Sequence, residues 1–111
     1  MSEQINLPKV ILQLINSQNE YNSFEFAENF ADTAIVHDES KEHHGKAEIK
    51  QWNEETNEKY KTQLKPIDFS STEKESILTT MVSGNFPGSP IQLKYHFIIK
   101  DEKIRQLSIK S

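Results

Sequence analysis

The spacing of apolar residues changes once along this chain, from a helical period near the N-terminus to alternation near the C-terminus. Behind Asn6 and Pro8, which suit a first helical turn, apolar residues recur at intervals of three and four. They are Leu7, Val10, Ile11, Leu14 and Ile15. This spacing predicts a first helix, which ends at a polar break over residues 16–22.

A second, shorter helix is predicted directly after that break. Asn22 followed by Glu25 at the third position resembles a capping box, which marks a helix start. The apolar face of this helix consists of Phe26, Ala27 and Phe30. The pattern predicts that the helix ends near Asp32.

Residues 34–39 predict a first strand, because a short apolar run ends abruptly in three ionisable side chains: His37, Asp38 and Glu39. A polar turn closed by Gly45 follows. A third helix is then predicted over residues 46–60, with Ile49, Trp52, Thr56 and Tyr60 on one side. This arrangement can bring carboxylates and a large aromatic ring close together, which suggests a small-molecule pocket.

From Leu64 onward the chain predicts strands. Apolar residues alternate around Ile67, a more continuous apolar run covers 77–83, and the last strand ends at Ile109. Between these strands, Pro87-Gly88 is a type II turn signal and Gly84 a possible bulge. The predicted order is α-α-β-α-β-β-β-β, an α+β fold.

The clearest alternation lies in the strand from Ile91 to Ile99. Its odd-numbered positions are apolar or aromatic, whereas the even-numbered ones are mostly polar and include Lys94 and His96. We therefore expect the odd-numbered side chains to face the interior. A register shift of one residue would reverse every side chain.

Composition and charge restrict the class of protein. A chain of 111 residues without an interior linker predicts one domain over 1–111. Only 34% of the residues are apolar, so we expect part of the hydrophobic surface to pack against a second subunit in a homodimer. The net charge of −4, with basic residues alternating with acids, argues against nucleic-acid binding.

Neither a membrane-spanning apolar run nor a signal-like N-terminus is visible, so we expect no membrane partner and a cytoplasmic location. The absence of cysteine excludes disulfides, thiolate zinc sites and cysteine nucleophiles. The adjacent His43 and His44 lack a spacing that would bring both to one ion, and we predict no metal and no cofactor.

Two motifs carry a resemblance to a known family. Residues 30–38 read F-A-D-T-A-I-V-H-D and precede G-K-A-E-I-K-Q-W at 45–52, and G-N-F-P-G-S-P at 84–90 precedes L-K-Y-H-F. With the predicted element order, they resemble the nuclear transport factor 2-like superfamily, in its SnoaL-like and ketosteroid-isomerase-like branch. The resemblance implies a cone-shaped curved antiparallel sheet wrapped by three helices, with a pocket at its open end and dimers formed through the convex face. The same cone hosts isomerases, cyclases, hydrolases, dehydratases and plain binding proteins.

The resemblance also implies site residues. Asp38 falls on the position of the aspartate that shuttles a proton beside a carbonyl. A second hydrogen-bond donor on the long strand corresponds to Tyr95, whereas the tyrosine that helix one provides in these enzymes is absent from residues 12–15. We therefore assign catalytic roles to Asp38 and Tyr95. The residues assigned to the substrate-binding wall are Trp52, Tyr60, Phe97, Leu14, Phe30 and Met81.

Each assignment has a structural alternative. Asp38 can be a solvated carboxylate in a turn. Trp52 and Tyr60 can fill the core. Alternation predicts that His37 points away from Asp38. For the whole protein, the main hypothesis is an isomerase-, cyclase- or dehydratase-like enzyme acting on a small apolar, carbonyl-bearing molecule; the alternatives are a non-catalytic ligand-binding module and a dimeric interaction protein.

Overall fold

The computed structural model describes residues 6–111, which form three helices and six strands. The helices are α1 (Lys9–Asn19), α2 (Ser23–Glu28) and α3 (Gly45–Tyr60). The strands are β1 (Phe30–Asp38), β2 (Lys41–His44), β3 (Gln63–Ser71), β4 (Ser76–Ser83), β5 (Ile91–Lys100) and β6 (Lys103–Lys110). No helix within this described part is long and apolar enough to cross a membrane.

The six strands form one curved sheet in the order β2-β1-β6-β5-β4-β3. Neighbouring strands are antiparallel except for β1 and β6, which are parallel. The helices cover the inner face, and the core between them includes Ile11, Ile49 and Leu107, each with 0% of its surface exposed. The α+β, cone-shaped architecture predicted from the sequence is confirmed.

The predicted orientation of β5 is also confirmed. Tyr95 and Phe97 are buried on the inner face, whereas Lys94 and Ile98 are exposed on the outer face. Cross-strand pairing extends the inner row from Ile109 through Tyr95 to Leu78 and Phe69. This row ends in the same region as Asp38, and it positions the site described below.

Helix α1 continues to Asn19, past the start of the polar break at which the sequence predicted its end. The polar residues of its last turn can be buried because their side chains hydrogen-bond to one another across the three helices. Gln18 donates to the side-chain oxygen of Asn57 at 2.8 Å, and Asn53 donates to the side-chain oxygen of Gln18 at 2.7 Å. Ser23, at the start of α2, donates to Asn53 at 2.7 Å. A hydrogen-bonded network of this kind lets polar residues occupy the interior without an unpaired donor or acceptor.

Two element boundaries differ from the prediction. Phe30 does not belong to α2 but begins β1, where it pairs with Ile104. The segment predicted as a polar turn contains the short strand β2, which pairs with β1 across a tight connection at Glu39 and Ser40, both with positive φ. The sheet therefore has six strands instead of five.

Candidate active site at the end of strand β1

Asp38 is the last residue of β1 and lies half-buried at the inner face of the sheet. Two residues earlier, Val36 is fully buried and pairs with Leu107 of β6, also fully buried. Strand alternation therefore turns Asp38 toward the same side as Val36. His37 takes the opposite side, where it pairs with Glu42 at 3.3 Å, as alternation predicted.

The environment of Asp38 favours its neutral form. Burial raises the pKa of Asp38 above its ordinary value, and the neighbouring charge of Glu39 raises this pKa further. A hydrogen bond from the Trp52 side chain and the charge of His43 act in the opposite direction and favour the carboxylate. Asp38 therefore has the raised pKa that suits a proton-transferring base, together with polar partners that stabilise its charged form.

Tyr95 lies close enough to Asp38 for the two groups to influence each other. Its side chain is buried on β5, and burial raises the pKa of the phenol well above its ordinary range. The charge of Asp38 raises this pKa further. The hydroxyl of Tyr95 consequently remains protonated at any working pH and is a neutral hydrogen-bond donor beside the carboxylate.

Trp52 joins the same region from helix α3. Its ring stacks on His43 of β2, with ring centroids 5.3 Å apart and planes inclined by 25°. On another side it contacts the ring of Phe26 at 6.1 Å. The structure thus brings together, from three separate elements, three of the residues that the sequence analysis assigned to the site, Asp38, Tyr95 and Trp52, and adds His43. Their roles stay predictions.

An open depression of about 350 Å³ lies at the ends of β1 and β6, lined by Asp38 and Ile109 and also by His37, Gln106 and Ser108, which point to the outer side of the sheet. Tyr95, Trp52 and His43 do not line it. A larger open groove of about 630 Å³ lies between α3 and the connection from α1 to α2. That groove contains none of the predicted site residues. We take Asp38 and the inner-side residues near it as the candidate site, because this region contains the carboxyl group with the raised pKa.

The remaining wall residues predicted from the sequence lie elsewhere. Leu14, Phe30 and Phe97 have 0% exposure and belong to the core. Tyr60, at the end of α3, packs edge-on against Phe86 at 6.0 Å, about 12 Å of helix away from Trp52.

The prediction that Met81 lines the substrate-binding wall is wrong, because the structure places Met81 on the outer face. It pairs with Lys65 and Gln92, while the adjacent Thr80 is fully buried on the inner side. The apolar run at 77–83 gives no clear period of two, so the sequence does not show which of its residues face inward.

His43 is the site residue that the sequence did not predict. It pairs with Val36 and shares its inner side, whereas the neighbouring Glu42 and His44 lie on the outer side and contact each other at 3.0 Å. The one available signal was alternation within β2, and that signal appears only once the strand is recognised. Among residues 6–111, no three histidine, aspartate or glutamate side chains are grouped to hold a metal.

The raised pKa of Asp38 predicts how stability depends on pH. The folded protein holds this proton more tightly than the unfolded chain, whose aspartate has a pKa of 3.8. The contribution of Asp38 to the free energy of unfolding therefore falls as pH rises from 3.8 through the folded pKa, and the loss persists at neutral pH.

Asp38→Asn removes this loss, and we expect the variant to be more stable than wild type near neutral pH. The difference should shrink as pH falls below 3.8. Denaturant unfolding of both proteins across this pH range measures it. A variant that is no more stable than wild type at neutral pH would contradict the environment described for Asp38.

The fold and the site together define a class: a cone-shaped α+β protein with an acid at the end of its first strand. No protein-family model and no curated protein matches the chain. Among solved structures, this chain is similar to a candidate polyketide cyclase from Sinorhizobium meliloti. The two are 30% identical, with a TM-score of 0.90 over 94% of this chain and 95% of the other.

Two further structures share the fold at lower identity. One is a protein from Catenulispora acidiphila with a ketosteroid isomerase-like fold, in complex with trimethylamine; its identity is 12% and its TM-score 0.85, over 96% of this chain and 87% of the other. The second is a candidate ketosteroid isomerase from Kribbella flavida, with 12% identity and a TM-score of 0.78 over 92% and 74%. The chain belongs to the nuclear transport factor 2-like superfamily, in its SnoaL-like and ketosteroid-isomerase-like branch.

Proposed function

We propose that the protein is an enzyme in which Asp38 acts as a general base on a small apolar molecule that carries a carbonyl group. The observation that carries this proposal is the half-buried Asp38, with a raised pKa, beside the buried hydroxyl of Tyr95. A base that is partly desolvated holds a proton well enough to remove one from carbon next to a carbonyl. A protonated phenol nearby supplies a donor to the oxygen on which charge develops.

In the proposed step, the carboxylate of Asp38 takes a proton from the carbon beside the carbonyl. The electrons of the broken C–H bond move into a C=C bond, and those of the C=O bond move onto the oxygen. Tyr95 donates a hydrogen bond to this enolate oxygen. Return of the proton from Asp38 to another carbon gives an isomerisation. Attack of the enolate on a second carbonyl of the same molecule closes a ring, and the new alkoxide takes the proton from Asp38. Loss of a hydroxyl group from the next carbon gives a dehydration, in which the proton from Asp38 lets this group leave as water.

The comparisons support this range of reactions without selecting one. Related structures are described as a candidate polyketide cyclase and a candidate ketosteroid isomerase. Both descriptions are consistent with chemistry beside a carbonyl. Ile109, which lines the depression, and Trp52, which is partly buried on the inner side, would provide the apolar contacts for the carbon skeleton of such a substrate.

A screen tests the proposal. Small ketones, including cyclic and aromatic ones, are first tested for stabilisation of the protein by thermal shift. Each compound that binds is then incubated with the protein in deuterated water, and deuterium incorporation beside the carbonyl is followed by NMR. Stabilisation by ligands without any incorporation would contradict the catalytic proposal.

The second candidate function is a ligand-binding module that uses the same site without catalysis. The observation that favours it is the inner side of α1, where Leu14 is fully buried and no residue of 12–15 offers a hydroxyl donor. In that case Trp52→Ala should weaken ligand binding by about 2 kcal/mol through lost aromatic burial. Asp38→Asn should then change little.

We also propose that the protein is a homodimer formed through the outer face of the sheet. Cross-strand pairing aligns Ile98, Gln106 and Ile35 in one outer row, and Ile98 is 42% exposed. An exposed isoleucine and a half-buried one on either side of Gln106 offer apolar contacts for a two-fold interface.

This proposal predicts that Ile98→Lys shifts the protein toward the monomer, because the charge would be buried in the contact. Light scattering should give about twice the 12.9 kDa of one chain for wild type and a lower mass for the variant. Leu12→Lys is the matched control, since Leu12 is 47% exposed on α1, away from the sheet. A wild-type mass near 12.9 kDa at micromolar concentration would contradict the dimer.

A further inference from the structure

His43 differs from the other histidines in what its side chain meets. On the outer face His37 and His44 share Glu42, and His96 pairs with Glu75 at 3.2 Å. The ring of His43 instead stacks on Trp52, and His43 lies near enough to Asp38 to lower the pKa of its carboxyl group. Its ring nitrogens are therefore not committed to a glutamate.

The backbone directs His43 toward Asp38. In the β1–β2 pair, Val36 stands opposite His43 and Asp38 stands opposite Lys41, so His43 and Asp38 are diagonal neighbours on the inner side. Diagonal neighbours in an antiparallel pair lie roughly 7–8 Å apart at the backbone, within reach of a histidine side chain. The stack on Trp52 restricts the plane of the imidazole, which keeps its nitrogen-bearing edge in a defined direction.

The proposed reaction would be accelerated by a further hydrogen-bond donor at this position. An enolate oxygen accepts more than one hydrogen bond, and donors placed in a partly desolvated site stabilise it most. Tyr95 is one donor at this site. Helix α1 presents apolar side chains to the interior, among them Ile11 and Leu14.

We propose that His43 is a second oxyanion donor of this site, with a ring N–H that hydrogen-bonds the substrate oxygen while Asp38 holds the proton taken from carbon. This inference rests on the proposed function and adds a catalytic residue from β2 to it. The imidazole keeps its proton throughout. Only the C–H bond of the substrate breaks, its proton goes to Asp38, and the electron pair reaches the oxygen that His43 and Tyr95 contact.

The inference is tested with 4-nitrophenol, whose phenolate imitates an enolate oxygen and absorbs visible light. Binding is measured in the Asp38→Asn protein, because this substitution removes the repulsion between the two anions. Adding His43→Phe keeps a ring stacked on Trp52 but removes the donor, and we expect the affinity for the phenolate to fall about 10- to 100-fold. His43→Gln, which retains an N–H donor, should recover part of the loss.

His44→Gln is the matched control, since His44 lies next in sequence but on the outer side, and it should leave phenolate binding unchanged. A neutral ketone serves as the second control, because its affinity should change much less than that of the phenolate in His43→Phe. Absence of phenolate binding in Asp38→Asn, or equal losses for the ketone and the phenolate, would overturn the role of His43.

Deuterium incorporation separates this inference from the proposed function. If His43→Phe exchanges protons as fast as wild type while Asp38→Asn does not, the role of His43 is wrong and the proposed base remains supported. If wild type shows no exchange but phenolate binding depends on His43, the general-base function is wrong and the donor assignment stands. An active wild type that loses about 100- to 1,000-fold in exchange rate on His43→Phe would support both.

Discussion

Replacing Asp38 by asparagine should slow proton exchange on a bound ketone by about 100- to 10,000-fold while the ketone still binds with nearly unchanged affinity. The amide of asparagine has almost the size of the carboxylate but cannot accept a proton from carbon. Binding should persist because the apolar contacts, including that with Trp52, remain. Deuterium incorporation measures the rate, and thermal shift or calorimetry measures the affinity.

The matched control is Asp32→Asn, which also removes one carboxylate from β1. Asp32 is exposed and lies 3.5 Å from the ammonium group of Lys46, outside the site. Its replacement should leave both exchange and binding unchanged. If Asp38→Asn exchanges protons as fast as wild type, Asp38 is not the base, and the ligand-binding module becomes the better description of the protein.

The architecture was predictable from the sequence wherever apolar spacing was regular. The strand Ile91–Lys100 alternates cleanly, so its inner and outer faces were assigned correctly. Strand β2 could not be recognised in the same way, because K-E-H-H contains no apolar residue. Its position depends on pairing with β1, which is a tertiary contact and leaves no periodic signal in the sequence.

The site was predictable only in part, for a related reason. Asp38, Trp52 and Tyr95 lie in elements that the sequence predicted with the correct type, so their approach followed from the fold. Phe30 was predicted on a helix face but begins β1, because strand pairing with Ile104 outweighs the helical spacing of the apolar residues before it. His43 depends on the unrecognised β2, so its inward direction followed only from the structure.

Phe97 was predicted from the sequence to line the pocket, but the structure places it in the core with 0% exposure. Its ring lies 6.3 Å from that of Tyr95, and the residue stands between the buried β6 residue Leu107 and Ser76 of β4. Removing a fully buried ring leaves a cavity that rigid neighbours fill incompletely. We therefore expect Phe97→Ala to lower the free energy of unfolding by about 3–5 kcal/mol.

Denaturant unfolding measures this loss, with Leu12→Ala as the control. Leu12 is 47% exposed, so the same kind of truncation should change the free energy of unfolding by no more than about 0.5 kcal/mol. A Phe97→Ala protein that keeps its stability but loses affinity for ketones would instead show that the ring lines an extension of the site. Because a fully buried ring has no surface for a ligand unless the core opens, we expect the loss of stability and no separate effect on binding.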